Sequence, residues 1–232
     1  MSEAEAIACL ERVLSNALGR TFAVAANSVN GPEPEYYPLL RVRQAWLRTL
    51  TQAFADHYEP HIKAGRTAVF GGRPGPGETE LSGVPSGIPK WRRWEFLYDV
   101  SVVDWTTLPA AFAVNNAVPI VTNTVWAVES ELAGDGTKVA EDASKLRIAR
   151  SANALLIART TRQTKPDEWL RFLNACLDGV QGQAFVALMP SYARGESDAA
   201  RWVNGTVEIE LYRATPPPAL PEFVATIRRP GA

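Results

Sequence analysis

The chain has 232 residues, 46% of them hydrophobic, and 24 Lys and Arg against 25 Asp and Glu give a net charge of −1. That balance suits an ordinary globular core and excludes nucleic-acid binding through overall charge, leaving a local basic surface as the available route. Cys9 and Cys176 stand far apart with no CxxC, against a disulfide framework or structural zinc site, and no apolar run reaches the ~18 residues of a membrane span. The acidic opening MSEAEAIACLERV lacks a signal-peptide pattern, so a cytoplasmic protein is expected.

In chain order, Ala6, Ile7, Leu10, Val13, Leu14 and Leu18 predict a helix over 3–19, stopped by Gly19. Residues 25–35 read as turns, and a longer helix follows over about 38–58, with Pro38 in its first turn and Pro60 beyond its end. Arg41, Arg43 and Arg48 lie on that helix. A short strand TAVF precedes the Gly/Pro-rich stretch GGRPGPGETELSGVPSGIP, which lacks the Gly-Lys-Ser/Thr ending of a phosphate loop. WEFLYDVSVVDW and PIVTNTVWAVESEL predict two strands, EDASKLRIARSA a helix, and ANALLIAR a buried strand. A helix over KPDEWLRFLNACLDGV, a strand AFVALMP and a half-exposed strand GTVEIELYRA complete the pattern. TPPPALPEF reads as a linker into a basic tail over 215–232. The expectation is one α/β domain over 1–232, with a helical region over 1–64 at its start and a mixed central sheet flanked by helices.

Chemistry concentrates where the second long strand ends. Alternate strand residues share a face, so Glu129 and Glu131 point one way while Trp126 and Val128 fill the other. The same rule sets Leu97, Asp99, Ser101 and Val103 together, making Asp99 a carboxylate within an apolar strand. Asp104 is a second candidate, at the strand's end and on the opposite face. Three converging carboxylates repel one another unless protonated or bridged by a cation, and an all-oxygen site suits Mg2+ or Mn2+. Asp142 and Lys145, three apart on the next helix, share a face that can present an ammonium to those acids or to a phosphate. KWRRW (Lys90, Trp91, Arg92, Arg93, Trp94) alternates cations with aromatics, as phosphate and base contacts require, and Arg147 adds charge beyond the acids. His57 and His61 in HYEPH lack the Glu placement and unbroken helix of a zinc protease and read as helix-end residues.

Asp99, Glu129-Ser130-Glu131 and Asp142-Ala-Ser-Lys145-Leu146 together resemble the PD-(D/E)XK superfamily, the restriction-endonuclease-like proteins. The resemblance implies a core of helix, three strands, helix and strand (αβββαβ), which segments from about 38 to 158 supply in order, with N-terminal helices and C-terminal strands added. It implies metal ligation by Asp99, Glu129 and Glu131 and phosphodiester hydrolysis. Glu131 stands where the family's lysine is expected; some branches carry that lysine on the neighbouring helix, the place of Lys145. The partners so implied are DNA, contacted by Lys90, Arg92, Arg93 and Arg147, and a second copy or partner protein. The competing expectations are a catalytically silent nuclease-fold binding module and an unrelated α/β protein with a surface acidic cluster.

Overall fold

The structure, a computed structural model, describes residues 1–29, 37–71, 98–108, 118–132, 135–160, 164–190 and 207–231, with side chains at 24–29, 37–44, 108 and 118 left aside. The Gly/Pro-rich stretch past Gly71, the KWRRW cluster and Leu97 lie outside the described residues.

The helical start comprises α1 (Glu3–Val29), α2 (Tyr37–His57) and the single turn α3 (Glu59–Lys63). Then come β1 (Thr67–Gly71), β2 (Val100–Leu108), β3 (Val118–Glu131), α4 (Gly136–Ile148), β4 (Asn153–Arg159), α5 (Pro166–Cys176), β5 (Gln183–Met189), β6 (Ile209–Arg213) and β7 (Glu222–Ile227). The seven strands form one mixed sheet in the order β1-β2-β3-β4-β5-β6-β7. β3, β4 and β5 are parallel, linked by the crossover helices α4 and α5; antiparallel pairs β1–β2–β3 and β5–β6–β7 flank them.

Period-two alternation divides the core between the two sheet faces. Trp126, Val128, Leu155, Ile157 and Phe185 pack with Leu10, Leu14, Trp46 and Phe54 of α1 and α2. Their sequence neighbours Ala127, Ala154, Leu156, Ala158 and Val186 pack instead with Val139, Ala143, Leu146 and Leu173 of α4 and α5. Large rings thus fill the first face, whereas alanines let α4 lie close on the second, bringing a short lysine reach within range of β3. On the aromatic side Trp126 stands 5.9 Å from Phe54 and 6.1 Å from Phe185, and its buried N–H donates to Tyr58 Oη at 3.0 Å.

Three expected boundaries are corrected. α1 does not stop at Gly19 but runs on to Val29, and that glycine makes room instead: a Cβ there would meet Pro230 at 3.1 Å. Residues 98–99 are a bend and not strand, so β2 opens at Val100 with Asp99 just before it. The Asp99 carboxylate, rather than the backbone ladder, takes the Ser130 N–H there. The tail over 215–232 carries a strand, β7, paired antiparallel with β6. Asn174 on α5 anchors the proline-rich approach to it, donating to Thr215 O and Ala219 O and accepting from Thr215 N.

Candidate functional site

The register between β2 and β3 builds the site. Val100 pairs with Val128, so Asp99, one residue earlier, arrives beside Glu129 at the carboxyl end of β3. Two further contacts fix that approach. Gly71 ends β1 at φ 144, and a Cβ on it would lie 2.3 Å from Asp99 O, so only glycine lets β1 and the Asp99 segment close up. Ser130 donates its backbone N–H to Asp99 Oδ2 at 2.8 Å, while its hydroxyl accepts from Trp46 Nε1 of α2 at 3.2 Å.

From the other side comes α4. Asp135 caps it, accepting from Thr137 N at 2.9 Å, which starts the helix where Lys145 falls over β3. Lys145 Nζ lies 2.6 Å from Asp142 Oδ1 and 3.3 Å from Glu129 Oε2. Side-chain exposure runs from 1% at Glu129 through 17% at Asp142 to 36% at Lys145, so the ammonium bridges a sealed carboxylate and a reachable one. Glu129 Oε1, equally buried, has no hydrogen-bond partner among the described residues. Glu131 is half-buried one alternation further along the same face.

These surroundings set the protonation of the acids. Burial raises Glu129 to about 8, the negative charge of Asp99 adds to that rise, and Lys145 opposes it. Asp99 is also raised: burial outweighs the Ser130 N–H, Asp142 and Glu131 push the same way as burial, and Lys145 opposes. Burial alone lowers Lys145, yet Asp142 and Glu129 more than reverse it and hold the ammonium charged. Half-buried Tyr98 is raised by burial and then by the Glu129 charge, placing its phenol in the same field.

Asp99, Glu129, Asp142 and Lys145 are therefore brought together, and Glu131 lies close enough to act on Asp99. Among the described residues no group of three or more His, Cys, Asp and Glu side chains is arranged to hold a metal ion. Asp104 is elsewhere: it pairs across from Asn123, six residues and ~20 Å along β3 from Glu129, and accepts from Thr67 Oγ1 and Asn123 Nδ2. Arg147 follows Lys145 by two positions and turns away from it by about 200°. Its guanidinium lies by Gly179, where a Cβ would stand 3.4 Å from Nη2. Lys90, Arg92 and Arg93 lie outside the described residues. His57 and His61 flank Tyr58 at ring distances of 5.0 and 6.1 Å, at the end of α2 and in α3. Cys9 is buried, its thiol pushed up to about 12, which suits packing and not nucleophilic chemistry.

Sequence reasoning passed over Gly71, Trp46 and Tyr98 as parts of this arrangement, and named Ser130 only as the spacer between Glu129 and Glu131. Tyr98 adjoins a named acid, so adjacency was a usable signal for it; Gly71 and Trp46 act across elements and had none.

No protein-family model, no curated protein and no solved structure matches the chain.

Proposed function

We propose that the chain is a divalent-cation-dependent hydrolase of phosphodiester bonds, with a restriction-endonuclease-like core and DNA as its substrate. The observation that carries this reading is Glu129, 1% exposed with Oε1 unpartnered, set beside Asp99 and a lysine at the carboxyl end of a parallel strand. A carboxylate in that position is costly without a cation to complete it. The donor set is all oxygen and suits Mg2+ or Mn2+, which commonly takes one or two carboxylates and leaves its other positions to water and phosphate oxygens. Apart from the single turn α3 between α2 and β1, the run α2, β1, β2, β3, α4, β4 also supports the reading, being helix, three strands, helix, strand.

Asp99 and Glu129 would hold the cation, with Glu131 as a further ligand or as the group that orients the attacking water. When bound, such a cation lowers the pKa of water and stabilises charge on the phosphate. Lys145 supplies positive charge for the phosphate as the bond from water oxygen to phosphorus forms and the ester P–O bond breaks. Lys90, Arg92 and Arg93 are the proposed DNA-backbone contacts, Arg147 lying by Gly179 and away from Lys145, and a second copy or a partner protein completes the assembly. A catalytically silent binding module is the second reading, favoured by Glu131 standing where the strand lysine is expected.

Calorimetry with Mn2+ tests the assignment, comparing wild type with the Glu129→Ala, Glu131→Ala double variant. Saturable binding lost in the variant is expected; equal affinity in both proteins would remove the site. Lys145→Ala is expected to retain Mn2+ and lose cleavage of plasmid DNA, and full cleavage would refute its role.

A further inference from the structure

The two faces of the β6–β7 ladder differ. On the α1 side Ile209, Leu211 and Ile227 are buried. The alternate residues, on the α5 side, are open: Glu210 and Thr226 are exposed, and Phe223 is 54% exposed with its ring 5.6 Å from that of Tyr212, edge to face. Tyr212 marks where the helical cover ends, packing on the α4–α5 core and meeting Phe223 beyond it. Leu220, in the turn that Asn174 holds ahead of β7, is 37% exposed. Two carboxylates edge these rings. Glu210 accepts from Tyr212 Oη at 2.8 Å, and exposed Asp167 stands in the first turn of α5. Burial raises the Tyr212 phenol and the charges of Glu210 and Asp167 raise it further, so both acids act on that ring. Arg228 is paired with Glu208, Arg213 with Glu3 and Glu222, and Lys165 with Glu168, while neither Glu210 nor Asp167 has a cationic partner among the described residues.

We infer that the Tyr212–Phe223 face of β6 and β7 is a docking surface for a basic segment of a partner protein. A lysine or arginine stem covers apolar ring surface while its charged head lies over a ring face or pairs with a carboxylate, and this face offers the rings and two open carboxylates together. The sign of charge selects among occupants. Glu210 and Asp167 repel the phosphates of nucleic acid and of anionic lipid. A second copy laid face to face about a twofold axis brings the same two acids of each copy into one interface. A basic peptide satisfies both features at once, with apolar side chains on Phe223 and Leu220 and cationic heads on Glu210 and Asp167. The surface is separate from the proposed cation site: β3, which carries Glu129, is three ladder spacings or roughly 14 Å from β6, so neither reading depends on the other.

The test is titration of the isotope-labelled full chain with a capped hexapeptide alternating arginine and leucine, followed by amide NMR, with affinities from fluorescence anisotropy at low salt. Saturable binding is expected, moving the amide signals of β6 and β7 and weakening as salt rises. Glu210→Gln combined with Asp167→Asn keeps both shapes and is expected to weaken binding at least about tenfold, as is Phe223→Ser. Both acids are exposed, so the charge variant is expected to melt close to wild type and its loss of affinity then reports the surface itself. A glutamate–leucine hexapeptide is expected not to bind. No saturable binding, equal affinity in wild type and the charge variant, equal binding of the glutamate peptide, or shifts confined to other elements would each overturn the docking surface. Sedimentation of the free protein covers the other occupant: self-association abolished by Phe223→Ser would give the face to a second copy and overturn the basic partner.

Discussion

Glu129 combines nearly complete burial with an oxygen that no donor among the described residues satisfies, and that burial, with the nearby Asp99 charge, raises its proton affinity. The native carboxyl titrates near 8 while the unfolded one titrates near 4.5. Between those values the native state holds more protons than the unfolded state, so this group's effect on stability becomes less favourable as pH rises from about 4.5 to 8, on the order of a few kcal/mol. Glu129→Gln removes the charge and keeps the shape. Its melting temperature is therefore expected to match wild type near pH 5 and to exceed it by roughly 5 °C or more near pH 9, in the absence of divalent cation. A constant offset at both pH values, by differential scanning calorimetry, would mean that the burial of charge is not the cause. A residue that weakens its own fold at working pH is the pattern of a site kept for chemistry.

At the level of elements, the central strands and α4 were legible because burial imposes simple periods. Trp126 and Val128 alternate against Glu129 and Glu131 as read, and α4 presents Asp142 and Lys145 on one face as read. What the periods hid were elements defined by contacts from outside them. Gly19 looks like a stop, but α1 continues through it, and Pro230, more than two hundred residues away, occupies the space of its missing side chain. β7 follows a proline-rich stretch that reads as linker, and nothing local announces that Asn174 fastens it with three hydrogen bonds of 2.9–3.0 Å. Asp99 was placed within a strand because its neighbours are apolar, whereas its carboxylate ends the ladder by capping Ser130 N. Asn174 is 1% exposed, so Asn174→Ala removes three hydrogen bonds from a buried amide at a cost of about 1–3 kcal/mol, the half-buried Thr215 and exposed Ala219 groups turning to water. A lowered urea midpoint with an unchanged slope is the expected result, and an unmoved midpoint would show that the approach to β7 is held by other contacts.

For the molecule as a whole, the proposed cation site lies where helices from both layers and the strand ends meet: Trp46 of α2 reaches Ser130 and Lys145 of α4 reaches Glu129. Binding there would couple to the entire fold. Mn2+ at about one hundred times its Kd is expected to add about 2.7 kcal/mol and raise the melting temperature by roughly 5–10 °C. The rise is expected to vanish in the Glu129→Ala, Glu131→Ala variant, and a rise of equal size in both would assign the cation to another place. The strand order carries a different consequence, for synthesis on the ribosome. Because spatial order follows chain order, each strand can dock onto its predecessor as it emerges, and each nascent length ends in an open edge. β7 closes the series with a poor template for a further strand: it is short, Pro221 precedes it, and Val224 bulges between the pairs Leu211–Ala225 and Tyr212–Phe223. Translation that stalls after β6 leaves the more regular edge open, and α1 still waits for β7 to lie against it.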